Sequence, residues 1–298
     1  MNDAQSSQLP ISAVPAVVAA AQQAPAASPL SESPTFTVQE DVPYQTANGI
    51  TLSLDVYAPA GQATGLRPAV ILIHGGGWAA LSKSTMRGMG QFLARSGFVA
   101  FAVDYRLVQG AENRWPAQLD DVQHAVRWVR AHAAQYSVNP ARVGAFGHSA
   151  GGQLAALLGM EETRDNSDPA LAPYSSRVQA VVDVSGPSDL TRDHDAASAF
   201  LTSFLGTTYA DHPEVWQSAS PALRAAKGDA PFLILHGTED QEVPIAQSEE
   251  LYEKLQAVGV PVSFIKVNDV HTFHTPEARH ELAVETEGFF NRYLVVGQ

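Results

Sequence analysis

The stretch VGAFGHSAGGQLAALLGM, residues 143–160, joins a short apolar run to a helix-forming run through a glycine-rich turn that carries a serine. Residues 143–146 are typical of a buried strand, and residues 153–160 can form a helix. Between them GHSAG (147–151) has the G-x-S-x-G pattern of a nucleophile elbow, a sharp turn that lifts the serine oxygen above the sheet. Glycines two positions away on each side leave room for that turn because they carry no Cβ. The pattern predicts Ser149 as a nucleophile.

Apolar runs on either side of this stretch predict further strands. Residues 35–44 and 50–57 alternate apolar and polar side chains around Asn48-Gly49, a dipeptide that favours the tight turn of an antiparallel hairpin. Residues 69–73 and 98–103 are continuously apolar, as strands buried on both faces should be. Further strand-like runs cover residues 143–146, 178–184, 231–235 and 262–267. The chain is therefore expected to start with a hairpin and to continue as a parallel sheet.

Helix signals separate these runs. Pro116 opens a segment whose apolar side chains recur at spacings of three and four residues, which places them on one helical face. Residues 245–258 form another such segment, ended by Gly259, and Thr275 precedes the proline that starts a last one. Strands that alternate with helices predict an α/β fold, with a mostly parallel sheet covered by helices on both faces.

Residues 187–228 interrupt this alternation because they contain no clear strand. Phe200, Phe204, Tyr209 and Trp216 are spread through this otherwise polar insertion. Insertions of this length inside a domain are often lids over a functional site. The same aromatic residues could also serve only to pack the insertion onto the domain, and the two interpretations are compatible.

The composition excludes several classes of function. The chain has 298 residues and a formal net charge of −13, so nucleic acids and anionic lipid surfaces would be repelled. It contains no cysteine, which excludes disulfides, thiolate metal sites and a cysteine nucleophile. After the first 34 residues no apolar run reaches the roughly 18 residues that a membrane-spanning helix needs.

Residues 1–34 are rich in alanine, proline, serine and glutamine, and the chain has no lysine or arginine before Arg67. A segment of this kind has little means of forming a core, so we interpret it as a flexible N-terminal tail before a domain of residues 35–298. Residues 11–21 are apolar enough to resemble part of a signal peptide, although Pro15 interrupts them and no basic residues precede them. Compartment and oligomeric state stay open.

Polar residues of catalytic type follow four of the apolar runs. These are HGGGW (74–78), Ser149, HGTED (236–240) and NDVH (268–271). Ligands of open α/β sheets bind beyond the carboxyl ends of the strands, which is where these residues are expected to lie. A serine, then an acid, then a histidine is also the chain order of the hydrolase form of the catalytic triad.

The predicted roles follow from proton affinities. A serine hydroxyl is a poor nucleophile until a neighbouring imidazole takes its proton, and His271 would do this and later protonate the leaving group. Asp240 would fix the tautomer of the imidazole and stabilise its charged form. Backbone N–H groups of Gly76, Gly77 and Ala150 would form an oxyanion hole for the charge that develops on the carbonyl oxygen of the substrate. No metal or cofactor is needed for this chemistry.

Six motifs together resemble the α/β-hydrolase superfamily: HGGGW (74–78), DYRL (104–107), WPAQLDDV (115–122), GHSAGG (147–152), HGTEDQEVP (236–244) and HTF (271–273). Within it the chain is most similar to the esterase/lipase group with hormone-sensitive-lipase-like, feruloyl-esterase-like and kynurenine-formamidase-like enzymes. The resemblance covers about residues 35–294 and implies the same triad and oxyanion hole. Residues 108–112 replace the proline-rich sequence usual after DYRL, which bears on the substrate class.

Other residues compete for two of these roles. His274 lies three positions after His271 and is an alternative base, but His271 is the histidine that precedes Thr-Phe in the family-like motif. Glu239 and Asp269 are alternatives to Asp240 as the acid. Glu239 precedes the matching position, and Asp269 is interpreted as a solvated loop carboxylate.

Four side chains are predicted to bind substrate: Trp78 after the glycines, His148 beside the nucleophile, and Phe200 and Phe204 of the insertion. Each could instead serve packing alone. Residues 193–195, Asp-His-Asp, have the residue types of a metal site but no third ligand at a suitable spacing, so a solvated loop is favoured.

The resulting hypothesis is a serine carboxylesterase that hydrolyses small to medium esters through an acyl-enzyme. One alternative is hydrolysis of an aryl formamide such as N-formylkynurenine, since the glycine motif would also suit that substrate. Another is a non-catalytic ligand receptor on the same fold. Such receptors commonly lack the histidine that this sequence has at position 271.

Overall fold

The computed structural model describes residues 36–61, 65–163, 167–192 and 198–295. The predictions for the N-terminal segment 1–34 and for the acidic and histidine residues 193–195 lie outside the described residues.

One eight-stranded sheet forms the centre of the molecule. Its strands are β1 (Phe36–Ala47), β2 (Ile50–Pro59), β3 (Arg67–Ile73), β4 (Val99–Val103), β5 (Val138–His148), β6 (Ala180–Val184), β7 (Phe232–Gly237) and β8 (Val262–Val267). They lie in the order β1-β2-β4-β3-β5-β6-β7-β8. β2 pairs antiparallel with β1 and β4, and all other pairs are parallel. The parallel pairs bring the carboxyl ends of β3 and β5 to β8 to one edge.

Helices cover both faces of this sheet. They are α1 (Arg87–Arg95), α2 (Ala117–Ala131), α3 (Ala150–Met160), α4 (Ser198–Leu205), α5 (Pro213–Ser218), α6 (Ala246–Ala257) and α7 (Pro276–Phe290). Side chains of α1 and α7 join one apolar core, and those of α2, α3 and α6 join the other. Successive residues of β3 alternate between them, Ile71 in one core and Leu72 in the other. In the described part of the chain, no helix is both long and apolar enough to cross a bilayer.

The predicted α/β fold is confirmed, and most boundaries agree within a few residues. The hairpin turns at Asn48-Gly49, where φ is 50° and 75°. β5 is the main difference, since it begins at Val138 rather than at residue 143. Val138 pairs with Arg67 of β3, so hydrogen bonding to a neighbour extends the strand into residues that are not apolar. Tertiary pairing overrides the local pattern there.

The insertion 187–228 contains α4, α5 and a short 3₁₀ turn, and no strand among its described residues. Trp216 is fully buried and Phe204 is 2% exposed, so both pack into the core of the domain. Phe200 is 52% exposed. The aromatic residues of the insertion therefore divide into an inner packed set and one side chain that stays accessible.

Candidate active site

Ser149 occupies the turn between β5 and α3 with φ of 57° and ψ of −123°. A Cβ on Gly147 would lie 1.9 Å from the carbonyl oxygen of Gly151, and one on Gly151 would lie 2.2 Å from the carbonyl oxygen of Ile73. Both positions therefore require glycine. A left-handed backbone costs a serine about 1–3 kcal/mol and persists only where the surroundings impose it. Here the Ser149 N–H donates to the Val184 carbonyl of β6 at 2.8 Å, which fixes the turn to the sheet.

Asp240 and His271 lie in contact, although 31 residues separate them in the chain. Nδ1 of His271 donates to Oδ2 of Asp240 at 2.6 Å, and the side chain of His271 is 5% exposed. The other carboxylate oxygen, Oδ1, accepts from the backbone N–H groups of Glu242 at 2.8 Å and Val243 at 2.9 Å. This arrangement leaves Nε2 of a neutral His271 without a proton, so it can act as a base.

Burial opposes the ionisation of Asp240, but hydrogen bonds outweigh it. Side-chain donors from His236 and His271 and the backbone N–H groups of Val243 and Glu242 hold the pKa of Asp240 well below its usual range. The carboxylate is therefore charged over the whole working range of pH. A charged acceptor fixes the tautomer of His271 and stabilises the imidazolium that forms when this ring takes a proton.

His236 contacts the candidate acid Asp240, and the sequence had not singled it out. It is fully buried, with Nε2 3.1 Å from Oδ2 of Asp240 and 2.9 Å from the Val243 carbonyl oxygen. A carbonyl only accepts, so Nε2 carries the proton, and Nδ1 accepts from the Ser248 hydroxyl at 2.7 Å. His236 opens the HGTEDQEVP motif four residues before Asp240, and that was the signal available in the sequence.

We expect His236→Phe to lower kcat/KM for ester hydrolysis by about 10- to 100-fold, because a hydrogen bond to a charged group contributes about 1.5–3 kcal/mol. Phenylalanine keeps the ring volume but removes the donor to Asp240. His236→Gln retains an N–H and should lose less activity. Initial rates across pH check this, since a positioning role also moves the acidic limb of the kcat/KM profile. Equal activity of His236→Phe and wild type would contradict the assignment.

His148 links the serine turn to the histidine loop. Its Nε2 donates to the backbone carbonyl of His271 at 2.9 Å, and the two rings lie 4.8 Å apart. Burial lowers the pKa of His148, so the ring is neutral at neutral pH. No hydrogen bond joins the Ser149 hydroxyl to Nε2 of His271 in this structure. In unliganded enzymes such contacts are often long and tighten only when substrate binds.

The glycines after β3 have backbone conformations that other residues adopt with difficulty. Gly76 and Gly77 have φ of 101° and 57°. No described residue accepts a hydrogen bond from the N–H of Gly76, Gly77 or Ala150. Ala150 is the first residue of α3, where N–H groups have no partner within the helix and the helix dipole favours negative charge. These three groups are available to a developing oxyanion.

A cavity of about 420 Å³ opens beside Ser149 and Ala150. Gly77 and Trp78 form one wall, and Leu190, Phe200 and Leu201 of the insertion form another. The opposite wall is made by Glu242, Val243, Pro244 and Gln247, which follow Asp240 in the chain. Oε2 of Glu242 lies 3.9 Å from Nε2 of His271. Sequence reasoning had not pointed to Glu242, because its proximity to His271 depends on the fold.

The four predicted substrate-binding residues take different positions. Trp78 is 2% exposed, and its Nε1 donates to Oε1 of Gln153 at 3.1 Å, so the indole is a fixed wall. Phe204 stacks on Trp78 with ring centroids 3.9 Å apart and is not among the residues that line the cavity. Phe200 covers the glycines, since its Cζ lies 2.5 Å from where a Cβ of Gly77 would be. His148 lies on the other side of Ser149, outside the lining of this cavity.

The competing acids and the competing base have other partners. Asp269 accepts from the backbone N–H of Thr275 at 2.8 Å and from its hydroxyl at 2.7 Å, and these bonds hold its pKa well below the usual range. It therefore braces the start of α7. Glu239 is exposed, and His274 is exposed and pairs with the Thr272 hydroxyl at 2.5 Å. The structure places Asp240 against His271.

Comparisons of sequence give one family. The BD-FAE family model matches residues 54–255. Esterase LipC of Mycobacterium tuberculosis is 33% identical over 215 residues, which are 69% of this chain and 52% of LipC. The chain spans about half the length of the curated relatives it matches.

Solved structures similar to this one are also esterases. A truncated form of a carbohydrate esterase from gut microbiota has a TM-score of 0.74 and 28% identity, over 88% of this chain and 98% of that chain. Est2, an esterase of Thermogutta terrifontis bound to propionate, has a TM-score of 0.72 and 27% identity, over 90% and 98%. The Thermogutta enzyme has also been solved phosphorylated by paraoxon. Since the family model covers more than half of the chain and the fold agrees with these esterases, the chain belongs to the BD-FAE family and has the α/β-hydrolase fold.

Proposed function

We propose that the chain is a serine carboxylesterase with Ser149 as nucleophile, His271 as base and Asp240 as acid. The observation that carries the proposal is the short Asp240–His271 hydrogen bond, beside a serine held in a strained turn next to unpaired backbone N–H groups. The names of its relatives, which are esterases, support the same reaction class.

The proposed reaction proceeds in two steps. Nε2 of His271 takes the proton of the Ser149 hydroxyl as its oxygen attacks the ester carbonyl, and the N–H groups of Gly76, Gly77 and Ala150 stabilise the oxyanion. Each such donor contributes about 2.7–4 kcal/mol to the transition state. The imidazolium then protonates the departing alcohol, which leaves an acyl-serine. Water, deprotonated by the same imidazole, releases the carboxylic acid and restores the serine.

We also propose that residues 35–298 are the catalytic domain and that residues 187–228 act as its lid. Leu190, Phe200 and Leu201 of this insertion line the cavity at Ser149, which supports direct contact with substrate. Trp78 and Phe200 are the aromatic side chains of this cavity that we propose to touch the ester. The proposed partner is a small-molecule ester, and the route needs no metal or organic cofactor.

Treatment with paraoxon tests this function. We expect intact-mass analysis to show one diethylphosphoryl adduct, peptide mapping to place it on residue 149, and hydrolysis of p-nitrophenyl acetate to stop in proportion to labelling. Turnover of N-formylkynurenine, measured beside it, should be slower than that of the acetyl ester. An unlabelled protein without esterase activity would favour the receptor alternative.

A further inference from the structure

A second cavity, of about 630 Å³, lies between α1 and α7, on the sheet face opposite α3. Its lining is mainly apolar and includes Leu81, Met86, Met89, Phe92, Phe273 and Leu282. The charged side chain among its lining residues, Arg279, donates from Nε to the Phe273 carbonyl at 2.9 Å. A concave apolar site of this size can hold a sizeable organic group.

This cavity adjoins the proposed nucleophile. Gly75 and His148 form part of its wall. A Cβ on Gly75 would lie 3.1 Å from the Cβ of Ser149, so this glycine both lines the cavity and lies next to the serine. Thr272, which directly follows His271, lines the cavity as well. The α1–α7 cavity thus borders the serine turn through Gly75 and His148, and the cavity at the lid is lined by Ser149 itself.

Two exposed apolar side chains lie against the glycines that follow β3. Leu81 is 57% exposed and has φ of 68°, a strained value for leucine, and its Cγ lies 3.0 Å from where a Cβ of Gly76 would be. Phe200, which lines the cavity at the lid, lies in the same way against Gly77. Strained residues and exposed apolar groups concentrate at binding sites. Each cavity therefore has an exposed apolar side chain in its wall next to Gly76 or Gly77.

We propose that the α1–α7 cavity binds the alcohol part of the ester, while the cavity at the lid binds the acyl part. This inference rests on the proposed function. The alcohol oxygen must face His271 to receive its proton, and the residues that follow His271 line the α1–α7 cavity. The lid cavity contains Gly77 and Ala150, which bind the carbonyl oxygen. The substrates are esters in which both parts are bulky and apolar, with aryl or branched alkyl alcohols, rather than acetylated sugars.

The substitution Gly88→Phe tests this assignment. Gly88 is an exposed residue of α1 that lines the cavity, and a Cβ there would meet no atom within 4 Å. Phenylalanine is therefore expected to occupy the cavity without disturbing the fold. Gly288→Phe is the matched control, because Gly288 is an exposed helical glycine of α7, equally free of neighbours and outside the cavity lining. Ala283→Trp fills the same cavity from the opposite wall.

Two substrate series are compared: acetates of methyl, n-butyl and benzyl alcohol, and p-nitrophenyl esters of acyl chains from two to eight carbons. Burying one methylene contributes about 0.8 kcal/mol, or about fourfold in kcat/KM. Wild type should prefer benzyl and butyl acetate to methyl acetate by about tenfold or more. Gly88→Phe and Ala283→Trp should lose that preference and keep the wild-type ratios of kcat/KM between acyl chains of different length. Gly288→Phe should match wild type in both series.

A wild type without preference for large alcohols, or cavity-filled variants that retain it, would overturn the assignment. A change in acyl-chain preference instead would overturn it too, because the cavity would then hold the acyl part. These outcomes differ from failure of the proposed function, in which no ester of either series is hydrolysed by wild type.

Discussion

Replacing Ser149 by alanine is expected to lower kcat for ester hydrolysis by about 10⁶-fold, the loss typical of removing a triad nucleophile. Without the hydroxyl no acyl-enzyme forms, and only activation of water within the same pocket remains. The thermal melting temperature should change little, since the Ser149 hydroxyl has no hydrogen-bond partner among the residues that the structure describes. Initial rates with p-nitrophenyl acetate and a melting curve of the same preparation measure both quantities.

Ser137→Ala is the matched control for this substitution. Ser137 also has a left-handed backbone, with φ of 54°, and it precedes β5 whereas Ser149 follows that strand. The two variants make the same chemical change at serines with positive φ, at opposite ends of one strand. Ser137→Ala should retain wild-type rates. Residual activity of Ser149→Ala within tenfold of wild type would exclude this serine as the nucleophile.

His271→Ala should cause a loss of similar size, about 10⁶-fold in kcat, because the serine then has no base and the alcohol no acid. His274→Ala should stay close to wild type, since His274 is exposed and bonded to Thr272. The pair is well matched because both histidines lie in the same loop. Single-turnover kinetics with p-nitrophenyl acetate separate loss of acylation from loss of deacylation, and both should be slow in His271→Ala.

A larger loss in His274→Ala than in His271→Ala would show that His274 is the base and that the assignment of His271 is wrong. Free imidazole provides an independent check, because it can enter the space that the missing imidazole ring leaves in His271→Ala. Partial recovery of the rate of His271→Ala, with none for Ser149→Ala, is the expected result.

The strands could be predicted because their side chains report burial directly. β4 contains only apolar residues, and so do the buried stretches 69–73 of β3 and 232–235 of β7, as expected for strands covered on both faces. The boundaries were less predictable where residues pair without being apolar. The early start of β5 depends on hydrogen bonds to β3, and a pattern within one segment carries no information about its neighbour.

The candidate site, too, was predictable where it depends on one segment and less so where it depends on several. Ser149 could be found from the sequence because its turn is local: the glycines, the preceding strand and the following helix all lie within about 18 residues. The choice of Asp240 over Glu239 or Asp269 rested on motif resemblance. In the structure Asp240 contacts His271, whereas Asp269 is engaged by Thr275 at the start of α7 and Glu239 is exposed.

The sequence by itself therefore determined the fold class, the order of the strands along the chain and the serine turn, since each depends on periodicity or on steric limits within one segment. Only the tertiary structure showed that a second imidazole, that of His236, contacts Asp240. It alone also showed the cavity between α1 and α7, which Gly75 and His148 help to line. Those features arise where segments far apart in the chain pack together. Their distances are set by the packing of the whole sheet, which no single stretch of sequence encodes.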